Sequence, residues 1–266
     1  MSTYAISDIH GCYDEFMALL RKISLQEEDE LILLGDYIDR GPKSYEMLKW
    51  LENIPANVVT LKGNHDDGFC RNVRMMKDFA TKIKNEQTLN PKSNLDTRKL
   101  YYLLCSRCPS DYFDYYGTIE RLITKNGVNL SDLTKWSGIL EKLPLYEERN
   151  INGKRCIFVH AGYTEKDIFN EKSERDDYYL WARDEAYTDG GIEHGMVIAG
   201  HTPTIIEGEF SYTGGTVYRK YDEEKDCVFY DIDCGMCFHA HQLLPDGGVT
   251  SHLAALRADD GQEYYV

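Results

Sequence analysis

Aspartate, histidine and asparagine side chains recur in five short loops of this 266-residue chain. The loops are Asp8-Ile9-His10-Gly11, Gly35-Asp36-Tyr37-Ile38-Asp39-Arg40-Gly41, Gly63-Asn64-His65-Asp66, His160-Ala161-Gly162 and Gly200-His201-Thr202. Carboxylate, amide and imidazole groups are ligands of divalent metal ions. Two such ions, about 3.5–4 Å apart, acidify a bridging water to hydroxide and bind the oxygens of a phosphoryl group. The residue types therefore indicate a two-metal site for phosphate-ester hydrolysis.

Each of these loops follows a short apolar run that predicts a buried β-strand. The five runs span residues 4–6, 31–34, 58–61, 157–159 and 197–199. In α/β proteins with parallel sheets, ligands collect beyond the carboxyl ends of the strands. We therefore expect the five loops to meet at one edge of the sheet structure.

The order of the donor groups suggests how two ions would share them. Asp8 and His10 lie on the same side of an extended segment, so both side chains can reach one ion. Asp36 can bridge two ions through its two carboxylate oxygens. One amide and two imidazoles would complete the second ion, from Asn64, His160 and His201. This set suits Mn, Fe or Zn better than Ca, because imidazole is a poor calcium ligand.

Strands and helices alternate in the first part of the chain, which predicts a largely parallel sheet. Apolar stripes at helical spacing cover residues 13–23 and 44–51. Residues 69–116 carry no metal-type motif but many tyrosines, and two helices are predicted there, at 71–84 and 96–105. We interpret this stretch as a helical insertion that borders the site, either as a packing layer or as a cap that contacts substrate.

The C-terminal part is rich in predicted strands separated by turns. They span residues 217–221, 227–232, 241–244, 250–256 and 263–266. They predict a second, mixed sheet packed on the first. The expected fold is therefore of the α/β class, a four-layer α/β/β/α sandwich of two mixed sheets that forms a single domain over residues 1–266.

Composition and charge narrow the range of partners. The net charge of -15 and a pI near 5.0 argue against a nucleic-acid partner, which needs a basic face. No apolar run approaches the ~18 residues of a membrane-spanning helix, and no N-terminal export signal is visible. We therefore expect a cytoplasmic protein that does not bind membranes, and the oligomeric state is left open.

The eight cysteines are expected to be reduced thiols, because the chain is large and lacks an export signal. Cys105 and Cys108, like Cys234 and Cys237, have the CxxC spacing. A structural zinc site needs four ligands, and these two pairs lie far apart in sequence. Neither pair has the strand-to-helix setting of a redox motif. We favour ordinary core or loop cysteines, and the role of the pairs stays open.

The order of the five motifs resembles that of the metallophosphoesterases. The motifs DxH, GDxxDRG, GNH[DE], HAG and GHTP follow one another between Asp8 and Gly235. The form GDYIDRG is similar to the phosphoprotein phosphatase branch, which includes bacterial serine/threonine phosphatases and symmetrical dinucleoside tetraphosphatases. Five motifs in order form a specific pattern, and the resemblance implies the calcineurin-like phosphoesterase fold.

The resemblance also implies a ligand set. The first metal ion would be bound by Asp8, His10 and Asp36. The second would be bound by Asp36, Asn64, His160 and His201. Two divalent ions are implied as cofactors, with Mn as the expected metal and Fe or Zn as alternatives.

The resemblance implies further roles for neighbouring residues. His65 would be the acid that protonates the leaving alcohol, and Asp39 the carboxylate that orients it. Arg40 would bind phosphate oxygens through its planar guanidinium, together with Asn64. The segment Leu180-Trp181-Ala182-Arg183 is similar to the one that supplies a second phosphate arginine, so Arg183 is the candidate. Asp66 stands where glutamate is commoner in the phosphatase branch, and we expect it to tune the site.

Two enzymatic functions and one binding function fit these residues. The leading hypothesis is a metal-dependent serine/threonine-type protein phosphatase that hydrolyses phosphomonoesters by attack of a metal-bridging hydroxide. The alternative is a hydrolase of dinucleoside polyphosphates, of the diadenosine tetraphosphate type, or of nucleotides. A nucleotide hydrolase needs a base-stacking aromatic and polyphosphate-binding cations, whereas a protein phosphatase needs an open groove. A phosphopeptide-binding protein without activity is disfavoured, because no ligand residue and no His65 is missing.

Overall fold

Two five-stranded mixed sheets form the centre of the computed structural model, which describes residues 1–87, 96–108, 113–188, 191–241 and 251–266. The strands of the first sheet are β1 Thr3–Ile6, β2 Glu30–Leu33, β3 Val58–Thr60, β9 Ala254–Arg257 and β10 Gln262–Tyr265. Their order is β10-β9-β1-β2-β3, with β1, β2 and β3 parallel and the C-terminal hairpin antiparallel to β1.

The second sheet comes from the middle of the chain. Its strands are β4 Tyr146–Ile151, β5 Lys154–Val159, β6 Gly195–Ala199, β7 Tyr218–Asp222 and β8 Cys227–Asp231. The order is β4-β5-β6-β8-β7, with β5, β6 and β8 parallel and both edge strands antiparallel to their neighbours. Each sheet is therefore mixed, as the sequence predicted.

Alternation along the strands divides the apolar side chains between layers. In β2, Leu31 and Leu33 face the helices of the first sheet, whereas Ile32 belongs to the core between the two sheets. In β5, Phe158 joins that central core and Ile157 faces the opposite way. Because successive strand side chains point to opposite faces, each sheet buries both faces.

Nine helices in the described ranges cover the outer faces of the sheets. They are α1 Tyr13–Ile23, α2 Ser44–Leu51, α3 Asn64–Gln87, α4 Thr97–Cys105, α5 Thr118–Asn126, α6 Leu130–Leu140, α7 Lys172–Trp181, α8 Asp184–Thr188 and α9 Met236–His241. Helices α1 to α6 pack on the first sheet, and α7 and α8 pack on the second. The predicted four-layer α/β/β/α sandwich is confirmed.

Helix α1 shows why the sequence folds locally as it does. Phe16, Leu19 and Ile23 lie at helical spacing and are buried. Acidic residues occupy its first turn and basic residues its last turn, which complements the helix dipole. The helix ends at Ser24, whose φ of 52° is left-handed, as is common after the last helical turn.

The region predicted as a helical insertion packs as a layer of the first sheet. Helix α3 begins at Asn64, seven residues before the predicted start at 71, and α4 begins after Asp96, whose carboxylate accepts a hydrogen bond from the Lys99 amide at 2.8 Å. Val73 of α3 and Leu100 of α4 join the same apolar cluster as α1. That residues 69–116 are an insertion within a single domain stays a prediction.

Two differences from the predicted elements concern strands. Strand β4 was not predicted, because its sequence is polar and its side chains alternate between exposed and partly buried. The strand predicted at 241–244 is wrong at its first residue, since His241 ends α9, and residues 242–244 lie outside the described part of the chain.

The described residues also bear on the predictions about membrane-spanning helices and about the cysteines. No described helix is both long and apolar enough to span a membrane. All eight cysteines are free. The expectation that neither pair lies between a strand and a helix is wrong for Cys234 and Cys237, because this buried pair spans the turn from β8 into α9.

Candidate functional site

Five chain segments converge where the carboxyl ends of β1, β2, β3, β5 and β6 meet. Each contributes buried side chains with oxygen or nitrogen donors: Asp8, His10, Asp36, Asn64, His160 and His201. The structure thus brings together all six residues predicted as metal ligands. The first turn of α3, and not a loop, carries Asn64 and His65.

The carboxylate of Asp36 lies at the centre of this cluster. Its Oδ2 is 3.5 Å from His10 Nε2, 3.6 Å from His160 Nε2 and 3.9 Å from His65 Nε2. Its Oδ1 accepts a hydrogen bond from the His65 amide at 2.9 Å. One side chain therefore faces both halves of the site, as a bridging ligand must.

Backbone carbonyls fix the orientation of two imidazoles. His10 Nδ1 is 2.9 Å from the Ile38 carbonyl oxygen, and His160 Nδ1 is 2.9 Å from the Leu34 carbonyl oxygen. Because a carbonyl can only accept, each Nδ1 is the protonated nitrogen. Each Nε2 is then unprotonated and lies within 3.6 Å of Asp36 Oδ2, and a histidine fixed through its Nδ1 in this way is typical of metal-binding histidines.

The second half of the cluster is built around Asn64. Its Oδ1 is 2.9 Å from His160 Nε2 and 3.0 Å from His201 Nδ1. The backbone amide of His201 donates to Asp8 Oδ2 at 2.9 Å, which joins this half to the loop after β1. Ligand atoms of two groups, His10-Asp36-His65 and Asp36-His160-His201, each lie within 4.8 Å of one another.

The donor groups fit divalent metal ions. Asp8 Oδ1 and His201 Nε2 are buried and have no hydrogen-bond partner among the residues that the structure describes. Carboxylate, amide and imidazole donors form a mixed oxygen and nitrogen set, which suits Mn, Fe or Zn.

The charge states of Asp36, His10 and His201 favour metal binding, whereas burial raises the pKa of Asp8. Burial raises the pKa of Asp36, but the imidazoles around it, His160 first, lower that pKa below its usual range, so the carboxylate is ionised. Burial, with the neighbouring His65, holds the pKa of His10 well below its usual value. Burial and His160 likewise lower the pKa of His201. Neutral imidazoles and an ionised carboxylate are the forms that bind metal.

Left-handed backbone conformations concentrate in these segments. The expectation that Asp8 and His10 lie on an extended segment is therefore wrong, since both have positive φ. Of the eleven non-glycine residues with positive φ in the described ranges, six belong to the predicted site: Asp8, His10, Asp36, Asp39, Arg40 and His201. Such conformations are uncommon for non-glycine residues and gather at functional sites. At Gly63 a side chain is excluded altogether, because a Cβ there would overlap Asp36 Oδ1 and the Asp36 amide.

Asp66 supports the loop that carries Asp36 through hydrogen bonds to its backbone. Its carboxylate accepts hydrogen bonds from the amides of Asp36 at 2.9 Å, Gly63 at 2.9 Å and Tyr37 at 3.2 Å. It is fully buried, and burial followed by the nearby Asp36 raises its pKa well above the usual range. The sequence motif pointed to Asp66 as a tuning residue, but its three backbone partners could not be read from it.

His65 and Asp39 form the pair that the motif predicted. His65 Nδ1 is 2.7 Å from Asp39 Oδ2. Burial lowers the pKa of His65, but Asp36 and the hydrogen bond to Asp39 outweigh it, so the pKa is raised. A protonated imidazole held by a carboxylate is suited to donate a proton. The assignment of His65 as the acid stays a prediction.

The two predicted phosphate arginines occupy different surroundings. Arg40 is partly buried, with one terminal nitrogen 3.0 Å from His10 Nε2 and 3.4 Å from Cys237 Sγ. Its guanidinium carbon lies 5.4 Å from the ring centroid of Tyr116. Arg183 is more exposed and pairs with Glu209 at 3.8 Å. Both arginines line the same cavity.

The cavity above the cluster has a volume of about 350 Å³. Besides predicted residues, its lining includes side chains that sequence motifs did not single out: Arg71, Asn72, Tyr115, Tyr116, Ile206 and Glu209. The tyrosines come from the tyrosine-rich stretch predicted to border the site, and the structure places two of them at the cavity. Trp181, from the predicted phosphate-arginine segment, also lines it.

Comparison with known families gives one match along most of the chain. The family described as calcineurin-like phosphoesterase matches residues 1–245. Two solved structures share the fold. A protein proposed to be a diadenosine tetraphosphatase aligns with a TM-score of 0.52 at 17% identity, over 99% of this chain and 92% of its own. A metallophosphoesterase from Sphaerobacter thermophilus aligns with a TM-score of 0.51 at 16% identity, over 100% of this chain and 88% of its own.

Curated relatives share sequence over part of the chain. The symmetrical bis(5'-nucleosyl)-tetraphosphatase of Buchnera aphidicola subsp. Baizongia pistaciae is 44% identical over 96 residues, which are 36% of this chain and 32% of that protein. The enzyme of the same name from Buchnera aphidicola subsp. Schizaphis graminum is 28% identical over 167 residues, 50% of this chain and 60% of that protein. In both cases the chain spans less than two thirds of the relative's length.

We expect Asp66→Asn to lower metal affinity by roughly 10–100-fold, the range seen when a residue that supports a metal ligand is changed. The amide cannot accept from all three backbone amides, so the Asp36 loop loses part of its support. Metal content after dialysis, measured by elemental analysis, tests this expectation. Asp78→Asn, at an exposed position of the same helix, is the matched control. Equal metal content in both variants would show that Asp66 does not support the site.

We expect His65→Asn to lower kcat on an alkyl phosphate by ~10²-fold or more, with metal content nearly unchanged. An aryl phosphate should lose less, because its leaving group departs without much protonation. Steady-state kinetics on both substrates test this. His194→Asn, at an exposed histidine paired with Asp226, serves as the control. An equal loss on both substrates together with loss of metal would identify His65 as a ligand or a structural residue.

Proposed function

Because this chain belongs to the calcineurin-like phosphoesterase family, as its motifs predicted, we propose that it hydrolyses dinucleoside polyphosphates of the diadenosine tetraphosphate type. The bond cleaved would be a phosphoanhydride within the phosphate chain. The observation that carries this proposal is the cavity above the cluster, which combines exposed aromatic rings with three arginines.

The lining of the cavity matches the requirements of a nucleotide substrate. Tyr115 is 73% exposed and Trp181 is 47% exposed, so each offers ring surface to a base. Arg40, Arg71 and Arg183 provide cations for more than one phosphate. A phosphopeptide substrate would not require exposed rings beside several cations.

The relatives support the same choice. Relatives from two Buchnera aphidicola subspecies and from Nitrosococcus oceani, whose sequences match part of this chain, are named symmetrical bis(5'-nucleosyl)-tetraphosphatases. This name corresponds to the alternative function of the sequence analysis and not to its leading hypothesis, the serine/threonine phosphatase. Because the alignments cover only part of each relative, the activity is carried over as a proposal.

The proposed roles of the side chains follow from their positions. Arg40 and Arg183 bind phosphate oxygens and stabilise the charge that builds on them. His65 gives its proton to the oxygen of the departing nucleotide, and Asp39 keeps the imidazole oriented for that transfer. An anhydride leaving group is a weaker base than an alkoxide, so His65 contributes less here than it would on an alkyl ester.

The metal ligands are the remaining part of the proposal. Two divalent ions, with Mn as the proposed metal, would be held by the residues of the buried cluster: Asp8, His10, Asp36, Asn64, His160 and His201. When bound, divalent ions supply Lewis acidity to the phosphoryl group and acidify water. The buried Asp36 carboxylate, which faces both halves of the cluster, is the group that would join the two ions.

We expect the purified protein with Mn²⁺ to convert diadenosine tetraphosphate to ADP, with a higher kcat/KM than it has for a phosphoserine peptide. A strong chelator should abolish the turnover, because the proposed reaction requires the divalent ions that the buried cluster would hold. Chromatography of the products and parallel assays of the two substrates test this. A higher kcat/KM for the phosphopeptide would restore the protein phosphatase hypothesis, and full activity without metal would exclude both.

We expect Arg40→Ala and Arg183→Ala each to raise KM for diadenosine tetraphosphate and weaken inhibition by inorganic phosphate. A hydrogen bond to a charged group is worth about 1.5–3 kcal/mol, which corresponds to roughly 10-fold or more. Metal content should not change. Arg21→Ala, on the exposed face of α1, is the control. If Arg183→Ala leaves kcat/KM and phosphate inhibition unaltered, Arg183 does not bind substrate, and Arg71 becomes the next arginine to test.

A further inference from the structure

We propose that the cavity is two-ended, with one nucleobase stacked on Tyr115 and the other on Trp181, and with the phosphate chain between them. This inference rests on the proposed function and goes beyond it by assigning a separate binding site to each base. It comes from the placement of two exposed aromatic side chains on different halves of the buried cluster.

The first end is built on His65. The ring of Tyr116 lies beside the His65 ring, with centroids 4.8 Å apart. Tyr115 stands edge to face against Tyr116, with centroids 4.9 Å apart and an interplanar angle of 87°. Tyr116 thereby fixes Tyr115 at the cavity, while the Tyr115 side chain stays 73% exposed. An aromatic ring that is held by a neighbouring ring and is still this exposed is suited to stack a base.

The second end is built on His201. Trp181 is the last residue of α7, and its ring lies nearly perpendicular to the His201 ring, with centroids 6.0 Å apart. Its side chain is 47% exposed although it adjoins a buried imidazole. An indole this exposed beside a polar cluster has no role in the apolar core, and it can offer a face to a second base.

The two ends lie on different halves of the cluster. His65 groups with His10 and Asp36, whereas His201 groups with His160 and Asp36. Asp36 is the member that both groups share, so each aromatic end adjoins a histidine that neighbours this carboxylate. A substrate with one base at each end would present the middle of its phosphate chain to this carboxylate and its neighbours, which is where a symmetrical cut must fall.

Each end also provides an arginine. Arg40 lies under Tyr116, with its guanidinium carbon 5.4 Å from the ring centroid. Arg183 follows Trp181 by two residues and lines the same cavity, where its guanidinium lies 3.8 Å from Glu209. Each end thus combines a ring with a cation, the pair of groups that a nucleoside phosphate requires.

The size of the cavity agrees with this division. Its volume of about 350 Å³ is near the lower limit of ligand pockets. The phosphates would occupy the interior, and the bases would lie at the rim on the exposed rings. Stacking on a ring accepts any base, so we expect little discrimination between adenine and guanine.

Inhibition by diadenosine tetraphosphate tests the inference without requiring that it be cleaved. The Ki is measured against the turnover of p-nitrophenyl phosphate with Mn²⁺, for the wild type and for Tyr115→Ala, Trp181→Ala and the double variant. Tripolyphosphate, which has no base, is the parallel inhibitor. Tyr115→Phe and Trp181→Phe retain an aromatic ring, and Tyr221→Ala removes an exposed tyrosine from strand β7.

We expect each single alanine variant to raise the Ki of diadenosine tetraphosphate about 10-fold. The double variant should raise it about 100-fold, because losses at independent sites multiply. The Ki of tripolyphosphate should change much less in every variant. The phenylalanine variants should stay near the wild type, and Tyr221→Ala should match it.

Three results would overturn the inference. If the double variant raises the Ki of diadenosine tetraphosphate no further than the more affected single variant does, both rings serve one base. Equal weakening of tripolyphosphate would mean that the rings act on the phosphates or on the fold. An unchanged Ki of diadenosine tetraphosphate in both single alanine variants would mean that the bases bind elsewhere. A different result would separate the two proposals. If the alanine variants raise the Ki as expected but the wild type does not cleave diadenosine tetraphosphate, the two base sites are supported and the proposed function is refuted.

Discussion

The buried carboxylate of Asp36 is the group on which the rest of the site depends. Burying a carboxylate is costly unless opposite charges or hydrogen bonds compensate it. Here imidazoles surround it on one side, and the His65 amide donates to its other oxygen. The neighbouring loop is held by Asp66, which accepts from three backbone amides. The cluster is therefore organised from its centre outward.

The loops keep strained conformations because they are tied to one another. The amides of His10 and Gly11 donate to the carbonyls of Asp36 and Tyr37, both at 2.8 Å, and the Gly41 amide donates back to the His10 carbonyl at 2.8 Å. A left-handed non-glycine residue costs of order 1–3 kcal/mol and persists only where its surroundings determine it. The two sheets, buried on both faces, provide that rigid frame, so the ligands are oriented before any substrate arrives.

The parts of this protein that sequence predicted are those controlled locally. Strand ends follow from short apolar runs, and the stripe of α1 follows from helical spacing, so both were predicted closely. The start of α3 was missed because Asn64 and His65 have donor side chains typical of a loop, yet they form the first turn of the helix. Strand β4 was missed because its pairing with β5, and not its own composition, makes it a strand.

Contacts between distant residues explain what else escaped prediction. Tyr116 reaches His65, and Cys237 reaches Arg40 across 197 positions of sequence. Neither contact follows from local propensity or from spacing within a motif. The convergence of the proposed ligand residues could be predicted because each motif places its own donors just beyond a strand end. The side chains that form the cavity wall could not be predicted, because they come from α3, the segment after α4 and the end of α7.

Charge completes the relation between the fold and an anionic substrate. The chain carries a net charge of -15, which at long range opposes the approach of polyphosphates. Within the cavity, three arginines lie beside five acidic residues, so bound divalent ions would be needed to make the site attractive to phosphates. No carboxylate of the described residues forms an ion pair with Arg40, whose neighbours are a thiol, a tyrosine ring and a neutral imidazole. Its charge therefore stays available to a phosphate. An acidic chain with three arginines gathered at one cavity fits the proposed small phosphorylated substrate better than an extended polyanion such as nucleic acid.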